Sequence, residues 1–219
     1  MKKTIKIAGL LFAAAMVFTG CTQPTSSSSS PNYNEPLFSE NDVTVDATKY
    51  EIADGNWIFR QIQKTDTSST SDHFEFVFKN GQVDTSADMK YITNTSGTLP
   101  EGISQAEIDA AVKDLGYKID GNKYSYSKEY NKEAILKIIQ KMTADPSLMN
   151  GKNRDQETLS GRKIINAMTY ANTLNGKTAP AGCKTNAEKT KYMWKNEHTN
   201  TNSSGTTTKL TTTSYLSKK

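Results

Sequence analysis

The chain is short of the residues that most protein chemistry needs. Its 219 residues include two cysteines and two histidines, the types on which nucleophile–base pairs and transition-metal sites chiefly draw. Cys21, His73, Cys183 and His198 are scattered rather than clustered. No HExxH, CxxC, GxSxG or phosphate-cradling glycine loop occurs, and Gly151-Lys152 lacks the upstream glycine of a Walker loop. The expectation is a protein with no cofactor and no metal, and not an enzyme. A Cys183–histidine hydrolase is the third reading of function. Neither sign of charge dominates: 27 basic side chains, three of them in the first six residues, face 23 acidic ones. From residue 7 onward the balance is therefore +1, with both signs interspersed, and no basic stripe of the kind that recruits nucleic acid is present. Asp109 and Asp114 flank apolar positions of a first helix, and Glu129, Glu133 and Asp145 punctuate a second, all at positions expected to face water. An apolar run of the about 20 residues that cross a bilayer is also missing.

What is there begins with a leader. Lys2, Lys3 and Lys6 precede an apolar run from Ile7 to Phe18, and Phe18-Thr19-Gly20-Cys21 closes it with small residues before a cysteine, the order of an export signal. This stretch resembles that of the bacterial lipoproteins. The resemblance implies that residues 1–20 are a signal, that Cys21 is the lipidated residue, with palmitate among the acyl donors, and that the mature protein is held on a membrane without spanning it. The resemblance further implies, from Thr22 rather than Asp after the cysteine, the outer membrane in a two-membrane cell. Cys183 is then left without an intramolecular partner. Residues 21–41, with five consecutive serines flanked by prolines, have the composition of a disordered tether.

Residues 42–219 suit one domain. Period-two alternation from Trp57 to Ile62 and from His73 to Lys79 predicts strands. Asn80-Gly81 marks a hairpin turn, and residues 82–93 supply a returning strand with Met89 and Tyr91. Residues 65–72 read as a polar loop. Between the strands sits a helical insertion, residues 104–175. Its first helix opens on a capping box at Ser104 and Glu107, turns Ile108, Ala111, Val112 and Leu115 inward, and ends at Gly116. Asn131 caps a second helix that Pro146 stops, and a third runs over about 156–174. Strands return at residues 190–198 and 206–217. The fold class is α+β: an antiparallel sheet or partial barrel built from N- and C-terminal strands, with the helices inserted between them.

Alternation also predicts that His73 and His198 face solvent, opposite the aromatics. Trp57, Phe74, Phe76, Phe78 and Trp194 are the candidate ligand-facing residues, since a sheet lined this way can hold an apolar or sugar-like ligand. The Asp54-Gly55-Asn56-Trp57 segment is similar to the Gly-x-Trp start of lipocalin-like barrels. That resemblance implies a carrier of a small apolar ligand, the second reading of function. The first is an envelope lipoprotein acting as a binding or structural module, with a protein or a small apolar molecule as partner.

Overall fold

The computed structural model describes residues 33–150, 155–201 and 207–219. The expectations for the leader, for Cys21 and for residues 22–32 lie outside the described residues. The strands are β1 (Val45–Asp46), β2 (Gly55–Lys64), β3 (Ser68–Lys79), β4 (Gln82–Val83), β5 (Lys90–Thr98), β6 (Lys118–Asp120), β7 (Lys123–Asn131), β8 (Lys184–Thr185), β9 (Lys191–Thr201) and β10 (Thr207–Lys218). The helices are α1 (Gln105–Leu115), α2 (Lys132–Ala144) and α3 (Gln156–Leu174). All ten strands belong to one open sheet in the order β1-β8-β9-β10-β2-β3-β5-β7-β6, with β4 beside β3. The two ends of the chain meet at its centre, where β10 pairs antiparallel with β2 from Trp57 to Lys64. The fold is α+β, with the three helices inserted between the N- and C-terminal strands.

Local chemistry sets most of the element ends. Asn80 and Gly81 take the positive φ angles, 52° and 81°, that a tight hairpin requires, and join β3 to β4. At α1 the Ser104 amide donates to Glu107 at 2.8 Å, and Gly116 ends the helix at φ 71°. The Asn131 side chain accepts from the Ala134 amide at 3.0 Å to start α2. Asp155 caps α3 in the same way through Thr158, at 2.9 Å. Val112, expected inward on α1, is exposed; Ala111 and Leu115 alone carry that helix onto Tyr117 and Tyr124.

Two expectations change. The polar stretch 65–72 is not a loop: the turn closes at once, with the Thr65 amide donating to the Ser68 carbonyl at 3.2 Å, and β3 starts at Ser68. Residues 69–72 pair with β2 on one side and β5 on the other, and Ser68 pairs with Gly97 of β5. A central strand position satisfies their backbone, and β-branched threonine fits the pleat. His73 does not face water either. It is 2% exposed, buried beneath the described part of the expected tether, residues 33–41. The Tyr33 ring lies 4.8 Å from the His73 ring, and Arg60 donates to the Glu35 carbonyl at 2.9 Å. Phe38 stands edge-on to Tyr215 at 5.2 Å, and Leu37 packs with Val43, Ile62, Met193 and Tyr215. Alternation does place His73 opposite Phe74, but this N-terminal segment covers that outer face.

The other face carries the main core. Helices α2 and α3 pack on it, with Ile135, Ile138, Met142, Ile164, Ala171 and Leu174 against Trp57, Phe76, Phe78, Tyr192 and Leu216. Gly161 lets the two helices approach closely, since a methyl group there would come within 3.0 Å of Ile138 and 3.2 Å of the Met142 sulfur.

Candidate functional site

Strand register arranges the helix-side face in transverse rows, because directly opposed residues in antiparallel strands point the same way. One row runs Tyr192, Leu216, Phe59, Phe74, Tyr91, Tyr130 from β9 to β7. It is apolar except for its phenolic oxygens. The next, two residues further along each strand, runs Trp194, Ser214, Gln61, Asp72, Thr93, Lys128. The third runs Asn196, Thr212, Gln63, Thr70, Thr95, Tyr126. One pleat repeat, about 7 Å, thus takes the face from aromatic to hydrogen-bonding.

A cleft of about 630 Å³ lies at that boundary, walled by α3 and by residues 177–180. Its aromatic side is a set of rings in mutual contact. Phe59 and Trp194 are nearly parallel, with centroids 6.2 Å apart at 20°. Tyr170 of α3 sits 5.4 Å from Phe59 and 6.2 Å from Trp194, and Tyr50 meets Trp194 edge-on at 5.5 Å. The small side chain of Ser214, between Trp194 and Gln61 in the row, leaves space for these rings to lean over β10.

Opposite them stands a polar cluster built on Asp72. Its Oδ1 accepts from the Tyr91 hydroxyl at 2.8 Å and from the Lys163 ammonium at 3.1 Å, and Lys163 also reaches Thr93 at 3.4 Å. Asp72 is 19% exposed and Lys163 35%, so the pair borders water. Burial, reinforced by the Asp72 charge, keeps the Tyr91 hydroxyl protonated by pushing its pKa well up. The Tyr50 and Tyr170 hydroxyls face each other at 3.4 Å, both pushed up chiefly by burial. Lys177 lies 5.8 Å from the Tyr170 ring centroid, within cation–π range. Asn166, Asn196 and Gln63 complete the rim.

Of the aromatics proposed from alternation, Phe74 and Trp194 line this cleft. Trp57, Phe76 and Phe78 do not. They share its face but sit further along β2 and β3, fully beneath the helices, where Trp57 is 1% exposed and donates its indole N–H to the Ala53 carbonyl at 2.7 Å. Parity selects the face, and position along the strand selects core or cleft. Sequence reasoning missed Tyr50, Asp72, Lys163 and Tyr170 as cleft residues. The adjacent Gln61-x-Gln63 and Thr70-x-Asp72 pairs, polar residues continuing an aromatic alternation, were the signal that marked the boundary.

Cys183 is buried in the main core, and burial pushes its thiol up to about 11. His73 is on the opposite face, its Nδ1 accepting from Arg60 at 3.1 Å and its Nε2 against Glu75 at 2.9 Å. His198 is exposed on β9, five residues beyond the Met193 that pairs with Lys184. Neither arrangement brings an imidazole to that sulfur. Among the described residues no cluster of three or more histidine, cysteine, aspartate or glutamate side chains is placed to hold a metal ion, and no helix is long and apolar enough to cross a membrane. Comparison with protein-family models and with curated proteins finds no match to this chain.

Proposed function

We propose that this protein is a lipid-anchored component of the cell envelope, held through Cys21 on the outer membrane in a two-membrane cell, and that its domain binds a small ligand in the cleft beside α3. The observation that carries the binding reading is the transition from an aromatic to a hydrogen-bonding row within one pleat repeat, bordering a cleft of about 630 Å³ that α3 walls. Small-molecule sites typically occupy ~300–1,000 Å³ and combine apolar walls with a few convergent polar groups. The anchor reading rests on the basic, apolar and small-residue stretches that precede Cys21 in that sequence. A carrier of a small apolar ligand is the second reading, favoured by the Phe59, Trp194 and Tyr170 ring cluster.

Both halves are open to test in one set of preparations. In a bacterium that matures lipoproteins, radiolabelled palmitate is expected to enter the wild-type chain and not Cys21→Ala. Label in the variant, or none in the wild type, contradicts the anchor. A ligand-observed NMR screen of diverse small molecules on the same full chain is expected to yield binders that Tyr170→Ala loses. Binders indifferent to that substitution place recognition outside the cleft.

A further inference from the structure

We infer that the ligand of the cleft is a short extended peptide, which adds to the free edge of β9 as a further strand and turns alternate side chains toward the cleft mouth. This rests on the cleft being the binding site and adds the class of ligand. β9 pairs with β10 along its whole length, from Lys191 to Thr201, but β8 covers its other edge only at Tyr192 and Met193. Between Lys195 and Thr199 no described strand lies on that outer edge, and all five residues are exposed.

Strand geometry assigns the backbone groups on that edge. The Lys191 carbonyl accepts from the Asn186 amide at 3.2 Å, and the Lys191 amide donates to the Asn186 side chain at 2.9 Å, both on the β8 side. In an antiparallel ladder the N–H and C=O of one residue point to the same edge, and every second residue repeats the direction. The β9–β10 register runs without interruption. Lys195, Glu197 and Thr199 therefore aim both groups away from β10, beyond the end of β8. Three donors and three acceptors in a row are a template for one more strand.

The same stretch borders the cleft. Trp194 and Asn196, on the helix side of β9, line it, so a strand added beside Lys195–Thr199 sends every second side chain to that side. The Phe59 and Trp194 rings are buried, 7% and 5% exposed, and contacts with the incoming chain fall to the exposed Asn196 and to Asn166 of α3. A side-chain amide carries two donors and an acceptor, the complement of the C=O and N–H of a peptide group. The ionised groups lining the cleft are Asp72, Lys163 and Lys177. Two ammonium groups against one carboxylate suit a peptide that brings in a single carboxylate.

The test uses the full lipidated chain in lipid nanodiscs. Phage-displayed random heptapeptides are selected on it after depletion on empty nanodiscs, and the selected sequences are synthesised and measured by calorimetry. Glu197→Pro removes one edge N–H that is not directed at β10, and should weaken binding about tenfold or more. Glu197→Ala keeps that N–H and should change binding less than about twofold. Asn196→Ala should weaken it about three- to tenfold, as loss of a hydrogen bond implies. If Glu197→Pro fails to fold, peptides N-methylated at alternate residues give the same reading on the unaltered chain: one alternate set should lose about tenfold in affinity and the other should keep it. Binding indifferent to Glu197→Pro, or to both N-methyl sets, overturns the strand addition; if Tyr170→Ala still abolishes it, the cleft stands as the site. Binding lost in Glu197→Pro but unchanged in both Asn196→Ala and Tyr170→Ala puts the peptide on the edge without the cleft and overturns the inference. No selected peptide, with small-molecule binders that Tyr170→Ala loses, overturns the peptide alone, and no binder of either kind overturns both. A dimer in sedimentation that Glu197→Pro dissociates puts a second copy of the chain on the edge and overturns the peptide.

Discussion

Deleting residues 187–219 is expected to abolish the cooperative unfolding transition of the whole domain, including β2 and β3 more than a hundred residues earlier. The deletion removes β9 and β10, and β10 lies in the middle of the sheet between β9 and β2. Five buried hydrophobic side chains leave with them: Tyr192, Met193, Trp194, Tyr215 and Leu216. At about 1.5–3 kcal/mol for each large apolar side chain buried, their combined loss matches or exceeds the ~5–15 kcal/mol by which a typical domain is stable. The truncated chain would also expose the long edge of β2 and invite aggregation. Calorimetry or circular dichroism of the truncated chain should show no sigmoidal melt. A retained transition with unchanged Trp57 emission would instead mean that the first strands fold by themselves.

The second large effect is acid destabilisation through His73. Burial, with Arg60 beside it, lowers its pKa to about 4 from the usual 6.5, despite the opposing hydrogen bond to Glu75. Because Arg60 donates to Nδ1, the ring is neutral with its proton on Nε2, directed at Glu75. Glu75 in turn is bonded by Lys219, and the Tyr33 ring covers the imidazole. Burial alone would raise the Glu75 carboxyl, but its bonds from Lys219 and His73 outweigh that and hold it below its ordinary value.

The unfolded chain thus takes up a proton near pH 6.5 while the folded one resists until about 4. The resulting stabilisation is complete above the higher value and is lost as pH falls between them. By pH 5 the loss should be about 2 kcal/mol, approaching about 3 kcal/mol near pH 4. Urea unfolding from pH 7.5 to 5 lies above the range in which ordinary carboxylates titrate, and should show this slope. His73→Gln, which cannot ionise, should flatten it. A wild-type profile already flat over that interval would show that His73 is not held neutral in the fold.

What could be read from the sequence divides according to how local its cause is. The Asn80-Gly81 turn, the Ser104–Glu107 box, the Gly116 and Pro146 stops and the Asn131 cap are each determined by a few neighbouring residues, and each occurs where the residues imply. The joining of N- and C-terminal strands in one antiparallel sheet was legible from strand patterns on both sides of the helical insertion. Residues 69–72 were misjudged because Ser, Thr and Asp favour turns when only near neighbours are weighed, whereas β2 and β5 hold them from both sides. His73 was misjudged because alternation says which face a side chain takes and nothing about what covers that face. The cover here is a segment with the composition of a tether.

The cleft was half legible. Phe74 and Trp194 were recognised as candidate ligand-facing residues, but the two rows they belong to are fixed by register across six strands. The wall comes from α3 and residues 177–180, far off in the chain. Tyr170 and Lys163 carry no strand alternation to betray them; only the packing of α3 on the sheet brings them to Trp194 and Asp72.

The two tryptophans allow the central claim, that the cleft beside α3 is where a ligand binds, to be tested with an internal control. Trp194 lines the cleft and Trp57 is sealed in the core on the same face. Full chain labelled with 5-fluorotryptophan gives one fluorine resonance for each, assigned through Trp57→Phe. On titration with a small molecule that calorimetry shows to bind, the Trp194 resonance is expected to shift to saturation while that of Trp57 stays in place. Saturable binding with the Trp194 resonance unmoved would contradict the account.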